Sequence, residues 1–187
     1  MKIGVLALQG DFREHGRVLR ELGAEAIEVR TPEELADVQA LIIPGGESTA
    51  ISRLAREHGL VEPIRARADD GMPVFGTCAG MIVMARRVEG GEPLLSLLDV
   101  TVRRNAYGRQ VDSFEADVEV EGIGEPVRGV FIRAPWIEDV GDDVRVLSEH
   151  AGRPVVVEHG NLVAAAFHPE LLGETRLHRY VLKKVDG

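Results

Sequence analysis

One cysteine, Cys78, stands alone in 187 residues. A single thiol cannot close an intrachain disulfide, so nothing points to secretion, and a reducing cytoplasmic location is expected. Aromatic residues are scarce at 4%, which argues against a platform for stacking nucleic-acid bases. Basic charge is in deficit, with 22 Lys and Arg against 31 Asp and Glu and a formal net charge of −9. Nucleic-acid binders usually present a basic face, so no nucleic-acid partner is expected. No apolar run approaches membrane-spanning length, and Met1 to Leu8 is too short and too quickly polar for a signal peptide. There is no low-complexity tract, no repeat and no linker. Residues 1–187 therefore read as a single domain, long enough for a full core and without a membrane partner.

What the chain does have is centred on that cysteine. Gly76-Thr77-Cys78-Ala79-Gly80 has the G-x-nucleophile-x-G form of a nucleophile elbow. The apolar segment Met72-Pro73-Val74-Phe75 leads in, and the helix-compatible run from Met81 to Ala85 leads out. A sharp strand-to-helix turn pushes one side chain out at the carboxyl edge of a sheet. The small flanking residues let the backbone bend and a substrate approach. The helix N-terminus behind the sulfur favours thiolate and offers N–H groups to an oxyanion.

Short apolar strands alternate with amphipathic helices through the first half. Strands are expected at Lys2–Leu8, Ala26–Val29 and Ala40–Ile43. A helix with the stripe Phe12, Val18, Leu19 and Leu22 is expected between the first two, capped by Asp11 and ended by Gly23. Further helices are expected at Pro32–Val38, from Ser48 or Thr49 to His58, and over Leu60–Asp70. From about Leu98 the texture changes to alternation, as in Phe114–Val120, which suggests antiparallel strands with one wet face. Strands at Val127–Ile132, Val144–Leu147 and Pro154–Glu158 follow. A turn at Glu158–Asn161, a buried strand Leu162–Phe167 and a closing helix Glu174–Val185 complete the chain. This is an α/β fold, parallel in its first half and mixed in its second.

A cysteine nucleophile needs a base, and the base an orienting partner. Of six histidines, His15, His58 and His178 lie on expected helices and read as solvated faces or caps. His150 and His159 precede turns. His168 alone follows a wholly apolar strand, which lands it at the sheet edge where sites form. Glu170 is two residues on, across the stiff Pro169, close enough to accept a hydrogen bond from the far ring nitrogen. Ala79 N–H is the natural first oxyanion donor. Gly46, in the loop Pro44-Gly45-Gly46-Glu47-Ser48-Thr49 after a neighbouring strand, is the candidate for the second. No phosphate-loop lysine and no metal-ligand spacing are present.

Together these residues resemble the class I, triad-type glutamine amidotransferases. Leu8-Gln9-Gly10-Asp11, the Pro44–Thr49 loop, Arg104–Gln110, Asp112–Glu115 and Phe131–Pro135 narrow the resemblance to one family. That family is the glutaminase subunit of pyridoxal 5′-phosphate synthase, and the resemblance covers essentially the whole chain.

The resemblance implies a flavodoxin-like three-layer sandwich with a mixed, mostly parallel central sheet. It implies hydrolysis of L-glutamine to L-glutamate and ammonia, with Cys78 forming a glutamyl thioester. His168 protonates the leaving ammonia and then activates water, and Glu170 holds His168. Gly46, Glu47, Ser48, Arg104, Ile132 and Arg133 line the glutamine pocket. Which arginine meets the α-carboxylate stays open, and beside Arg103 a structural ion pair for Arg104 is an equal reading. The resemblance further implies transfer of ammonia to a TIM-barrel synthase subunit, with Gln9 and Gly10 near the interface that activates the oxyanion loop. Pyridoxal 5′-phosphate is then a product of the complex and not a cofactor of this chain, and no metal is implied. Lyase as well as hydrolase character is expected.

The rival within the fold is a glutaminase serving another synthase, such as one making imidazole glycerol phosphate. A more distant rival is another nucleophile-elbow cysteine hydrolase, although such proteins usually place histidine directly after the cysteine, where Ala79 stands here.

Overall fold

The computed structural model describes residues 1–104 and 113–187. The expected motif residues Asn105–Gln110 and Asp112 lie outside them. The chain runs β1 (Lys2–Leu6), α1 (Phe12–Glu21), β2 (Glu25–Val29), α2 (Pro32–Ala36), β3 (Ala40–Ile43), α3 (Ser48–Glu57) and α4 (Val61–Asp69). Next come β4 (Val74–Thr77), α5 (Ala79–Met84), β5 (Ala85–Glu89), β6 (Leu98–Arg103), β7 (Phe114–Val118) and β8 (Val127–Phe131). β9 (Trp136–Val140), β10 (Arg145–His150), β11 (Arg153–His159) and β12 (Leu162–Ala165) lead to a 3₁₀ turn (Glu170–Leu172) and α6 (Arg176–Leu182).

Seven strands form the main sheet in the order β10-β11-β12-β4-β3-β1-β2. The five from β12 to β2 are parallel, and β10 and β11 add an antiparallel edge. The parallel part has the doubly wound, flavodoxin-like strand order. β3, β4 and β12 are buried along their whole length. That explains why they lack polar alternation, with Thr77 at the end of β4 their one polar residue, since a strand covered on both faces has no wet side to alternate with.

The second half differs from expectation in detail. Its alternating strands do not extend the main sheet. β6 pairs antiparallel with β9 and parallel with β5, and β7 and β8 form a separate hairpin. β5 and β9 were not expected. The closing helix is shorter than the Glu174–Val185 reading, because Glu174 hydrogen-bonds the Arg176 N–H ahead of it. Asp11 precedes α1 but makes no side-chain cap bond, since its carboxylate turns toward His168.

The largest correction concerns His15 and His178. Both were expected on solvated faces, yet both are fully buried and hydrogen-bonded to one another. The helical pattern hides them because α1 and α6 press these positions against the sheet edge. His58 does follow its expectation, as the exposed residue ending α3.

Candidate active site

Parallel strands deliver their loops to one edge, and four of them build the site there. β4 ends at Thr77 and the chain turns at once into α5, leaving Cys78 at the corner. Its backbone has φ 50° and ψ −107°, a conformation L-residues rarely take. The turn is held from the neighbouring strand, because Cys78 N–H donates to Ala165 O at 2.8 Å. The sulfur sits 3.8 Å from the Ile132 carbonyl oxygen. Ala79 opens α5, so its N–H has no carbonyl a turn earlier in that helix and faces outward behind the sulfur.

His168 lies three residues beyond the end of β12. It is fixed by a pair of backbone hydrogen bonds with β8, His168 N–H to Val130 O at 2.8 Å and Val130 N–H to His168 O at 3.1 Å. Glu170 begins the 3₁₀ turn, and its Oε1 meets His168 Nδ1 at 2.6 Å. Asp11 Oδ2 stands 3.4 Å from the same nitrogen. Burial favours the neutral ring, but hydrogen bonds to Cys78 and Glu170 and attraction to both outweigh it, pushing His168 up to about 11. Burial raises the Glu170 carboxyl, and His168 draws it back. Burial likewise raises Asp11. At neutral pH His168 is therefore an imidazolium between Cys78 and Glu170.

A cavity of about 320 Å³ opens over the sulfur. Gly46, Glu47, Ser48, Cys78, Ala79, Arg104, Ile132, Arg133 and His168 all line it, together with Asp11, Ile82 and Leu171. Every pocket and oxyanion candidate of the sequence reading is thus brought to one place. Glu170 lies behind His168, out of the cavity. Arg104 reaches Glu47 at 3.4 Å and Thr49 Oγ1 at 3.2 Å, whereas Arg103 points away to Glu89 and Glu138. Glu47 also caps α3, accepting from Thr49 N–H and Ala50 N–H, and these bonds hold its carboxyl low against the cost of burial.

The Gly45-Gly46 loop packs tightly on its neighbours. Gly10, at φ +95°, has no room for a Cβ beside the Gly45 carbonyl, and a Cβ on Gly45 would meet the His168 ring. Asp11 N–H donates to Gly45 O, and Gln9 Oε1 accepts from Glu47 N–H at 2.7 Å. Gln9 and Gly10 are therefore braces under the oxyanion-loop candidate.

Four residues of the site escaped the sequence reading. Asp11 reads there as a cap, His15 and His178 as solvated faces or caps, and Thr77 only as a position inside the elbow motif. The first three are brought in only by tertiary packing of α1 and α6. Metal-ligand spacing is absent from the sequence, yet Asp11, His168 and Glu170 bring ligand atoms within 4.8 Å of one another. A protonated imidazole has no lone pair to offer a cation, which disfavours that use.

A model of the SNO glutamine amidotransferase family matches residues 5–187. A pyridoxal 5′-phosphate synthase subunit PdxT of Mycolicibacterium vanbaalenii is 60% identical over 184 residues, covering 95% of this chain and 94% of that one. The subunit of the same name from Pelotomaculum thermopropionicum is 55% identical over 186 residues, covering 98% and 95%. A crystal structure described as a glutamine amidotransferase superposes with a TM-score of 0.94 at 50% identity over 99% of both chains. The PurLQS structure from Thermotoga maritima, at 19% identity and a TM-score of 0.73, shares the fold over 97% of each chain. The matched family consists of glutamine amidotransferases, so the expected lyase character is corrected: the chemistry of this chain is amide hydrolysis.

Proposed function

The chain belongs to the SNO glutamine amidotransferase family, and from that premise we propose that it hydrolyses L-glutamine and passes the ammonia to a pyridoxal 5′-phosphate synthase subunit for vitamin B6 synthesis. The observation that carries the chemistry is the line Cys78, His168, Glu170, with His168 Nδ1 2.6 Å from the carboxylate and the sulfur opening into the cavity.

Glutamine enters with its side-chain amide toward Cys78. Arg104 and Arg133 offer guanidinium groups for the α-carboxylate, and Glu47 and Ser48 offer acceptors on the same wall. The thiolate attacks the amide carbon. The resulting oxyanion takes hydrogen bonds from Ala79 N–H and Gly46 N–H. His168 gives its proton to the departing nitrogen, ammonia leaves, and a glutamyl thioester remains on Cys78. His168, now neutral, takes a proton from water, and hydroxide addition releases glutamate and the thiolate. Glu170 keeps the ring oriented and supports its positive charge through both halves. Each step is served by these side chains and backbone groups, and in this proposal pyridoxal 5′-phosphate enters only as the product of the complex, not as a cofactor of this chain.

The relatives carry the name of a pyridoxal 5′-phosphate synthase subunit, which supports a synthase partner; in this proposal that partner is a TIM-barrel subunit that consumes the ammonia. Gln9 and Gly10 brace the Gly46 loop, so a partner pressing on them has a direct route to the oxyanion hole. Among the described residues no helix is long and apolar enough to cross a membrane. Cys78 is a free cysteine, and a reducing compartment keeps such a thiol unoxidised, which supports a cytoplasmic location.

The test is glutamate release from L-glutamine by the purified chain, with and without a pyridoxal 5′-phosphate synthase subunit, beside Cys78→Ala. Activity that rises with the partner and vanishes in the variant is expected. Cys78-dependent activity that ignores this partner and answers to another synthase would reject the vitamin B6 role and keep the glutaminase.

A further inference from the structure

Two buried histidines take no part in these steps. An imidazole buried without a partner costs desolvation that a leucine of similar size does not, so each ring must find a bond. They find one another and the site. His15 Nδ1 lies 2.8 Å from His178 Nε2. His15 Nε2 lies 3.1 Å from Thr77 Oγ1 and 3.5 Å from Glu170 Oε1. Thr77 is the last residue of β4, directly before Cys78. Glu170 Oε1 is the oxygen that holds His168. One nitrogen of His15 thus touches both arms of the site, the strand end that carries the nucleophile and the carboxylate that orients the base.

The protonation states follow from position. Burial holds both rings neutral, His15 well below its ordinary value and His178 down to about 3. A neutral imidazole carries one N–H, and the two rings must agree on which. A lone pair on His15 Nε2 would face the Glu170 oxygen and be repelled. The carboxylate therefore selects the tautomer with hydrogen on His15 Nε2, leaving Nδ1 to accept from His178 Nε2–H. His178 Nδ1 is then a bare acceptor, and among the described residues it has no hydrogen-bond partner. The Glu174 backbone near it favours the charged ring but lies outside hydrogen-bond geometry. A bare ring nitrogen is the lesser loss, because the alternative tautomer sets a lone pair against a buried carboxylate.

We infer that His15 is a positioning residue of this active site, fixed as the Nε2–H tautomer by His178 and tying Thr77 to Glu170. It rests on the reaction proposed above. His15 touches no substrate. It keeps Glu170 Oε1 in line with His168 and keeps the elbow strand in register with both. α1 begins two residues after the Gln9-Gly10 brace, and His15 lies in its first turn, so the brace of the loop and the support of the base sit on one short stretch of chain.

The test measures glutamate release by the chain together with its synthase subunit for wild type, His15→Gln, His15→Asn and Cys78→Ala. Glutamine carries an amide N–H to the place of Nε2, whereas asparagine ends near Nδ1. The expected kcat of His15→Gln lies within about fivefold of wild type and that of His15→Asn about 30-fold below it, short of the full worth of a general acid–base group. KM for glutamine stays within about twofold in both, since the substrate is not touched. Equal kcat in the two variants, or an effect carried in KM, overturns the inference, because a purely structural role would move both alike. Nitrogen-15 spectra of wild-type imidazoles give a second reading that needs no variant to fold. Hydrogen on His15 Nε2 and none on Nδ1 is expected, and the reverse overturns the inference. Wild type that hydrolyses no glutamine, with or without the synthase subunit, sinks the proposed reaction instead and leaves the tautomer reading to judge His15.

Discussion

A Cβ placed on Gly45 would fall 2.2 Å from Cε1 of His168, so the candidate oxyanion loop and the candidate base share one van der Waals surface. Neither can be repacked without moving the other. Gly10 supports the loop from beneath, since its own Cβ would overlap the Gly45 carbonyl.

Gly45→Ala should therefore act on catalysis more than on the fold. The ring of His168 has to swing away to admit the methyl group, which breaks its line with Cys78 and Glu170. We expect kcat to fall by about 100-fold, the range of a lost general acid–base group. Circular dichroism should remain native. Unchanged kcat would mean that the loop yields and the ring does not.

Cys78→Ala and His168→Asn should each abolish glutamate release, the first by removing the nucleophile and the second by removing acid and base. Glu170→Gln should cost less, on the order of 100-fold, because an amide oxygen still accepts from Nδ1–H while the charge support is lost. Steady-state assays on all three settle the order, and a Glu170→Gln enzyme as dead as Cys78→Ala would assign Glu170 more than orientation.

His168 is held protonated up to about 11 by Cys78 and Glu170 against the opposing effect of burial. Its folded pKa lies above the ordinary value. The stability it contributes is fully present below about 6.5 and is lost as pH rises through the folded pKa. In nuclear magnetic resonance titrations its ring should stay charged between about pH 5 and 9, the span in which an ordinary histidine switches. In Cys78→Ala one supporting group is gone and the midpoint should drop. A wild-type midpoint near neutrality would refute the ion-pair description.

His178 has the opposite sign. Burial lowers it to about 3, so it contributes stability above its unfolded value that is lost as pH falls toward 3. Between those limits unfolding takes up about one proton at this ring, worth about 1.4 kcal/mol per pH unit. Urea unfolding of wild type and His178→Phe at several acid pH values should show slopes differing by about that amount. Parallel slopes would mean that the ring is already charged in the folded chain.

Arg104 and Arg103 are neighbours in sequence and separate in space, one on the cavity wall and one paired with Glu89 and Glu138. Arg104→Ala should raise KM for glutamine about tenfold or more, as loss of a charge-assisted pair to the α-carboxylate does. Arg103→Ala should leave KM alone, since exposed ion pairs contribute little. The kinetics of the two variants separate substrate contact from surface charge.

The chemistry was legible in the sequence where it is written locally. The elbow around Cys78 needs only a strand, two small residues and a helix, all contiguous. His168 and Glu170 were legible because a buried parallel strand has to end at the sheet edge and because two residues suffice to bring a carboxylate to a ring. The apolar runs of β3, β4 and β12, broken only by Thr77 at the end of β4, declared a covered sheet for the same reason: burial on both faces leaves no polar alternation.

What the sequence alone could not decide depends on which distant surfaces meet. His15 and His178 lie 163 residues apart, and their helical periodicity is that of any amphipathic face. Only the packing of α1 and α6 against the sheet edge turned those positions inward. Asp11 reads as a cap by every local rule, and the attraction of an imidazolium across the fold redirected it. The bridge from Val130 that fixes His168 joins a strand of a separate hairpin to the end of β12. The sequence by itself determined the candidate reacting groups, because their chemistry sits in short contiguous motifs. The tertiary structure decided their protonation and alignment, because burial and charge at a point are set by everything folded around it.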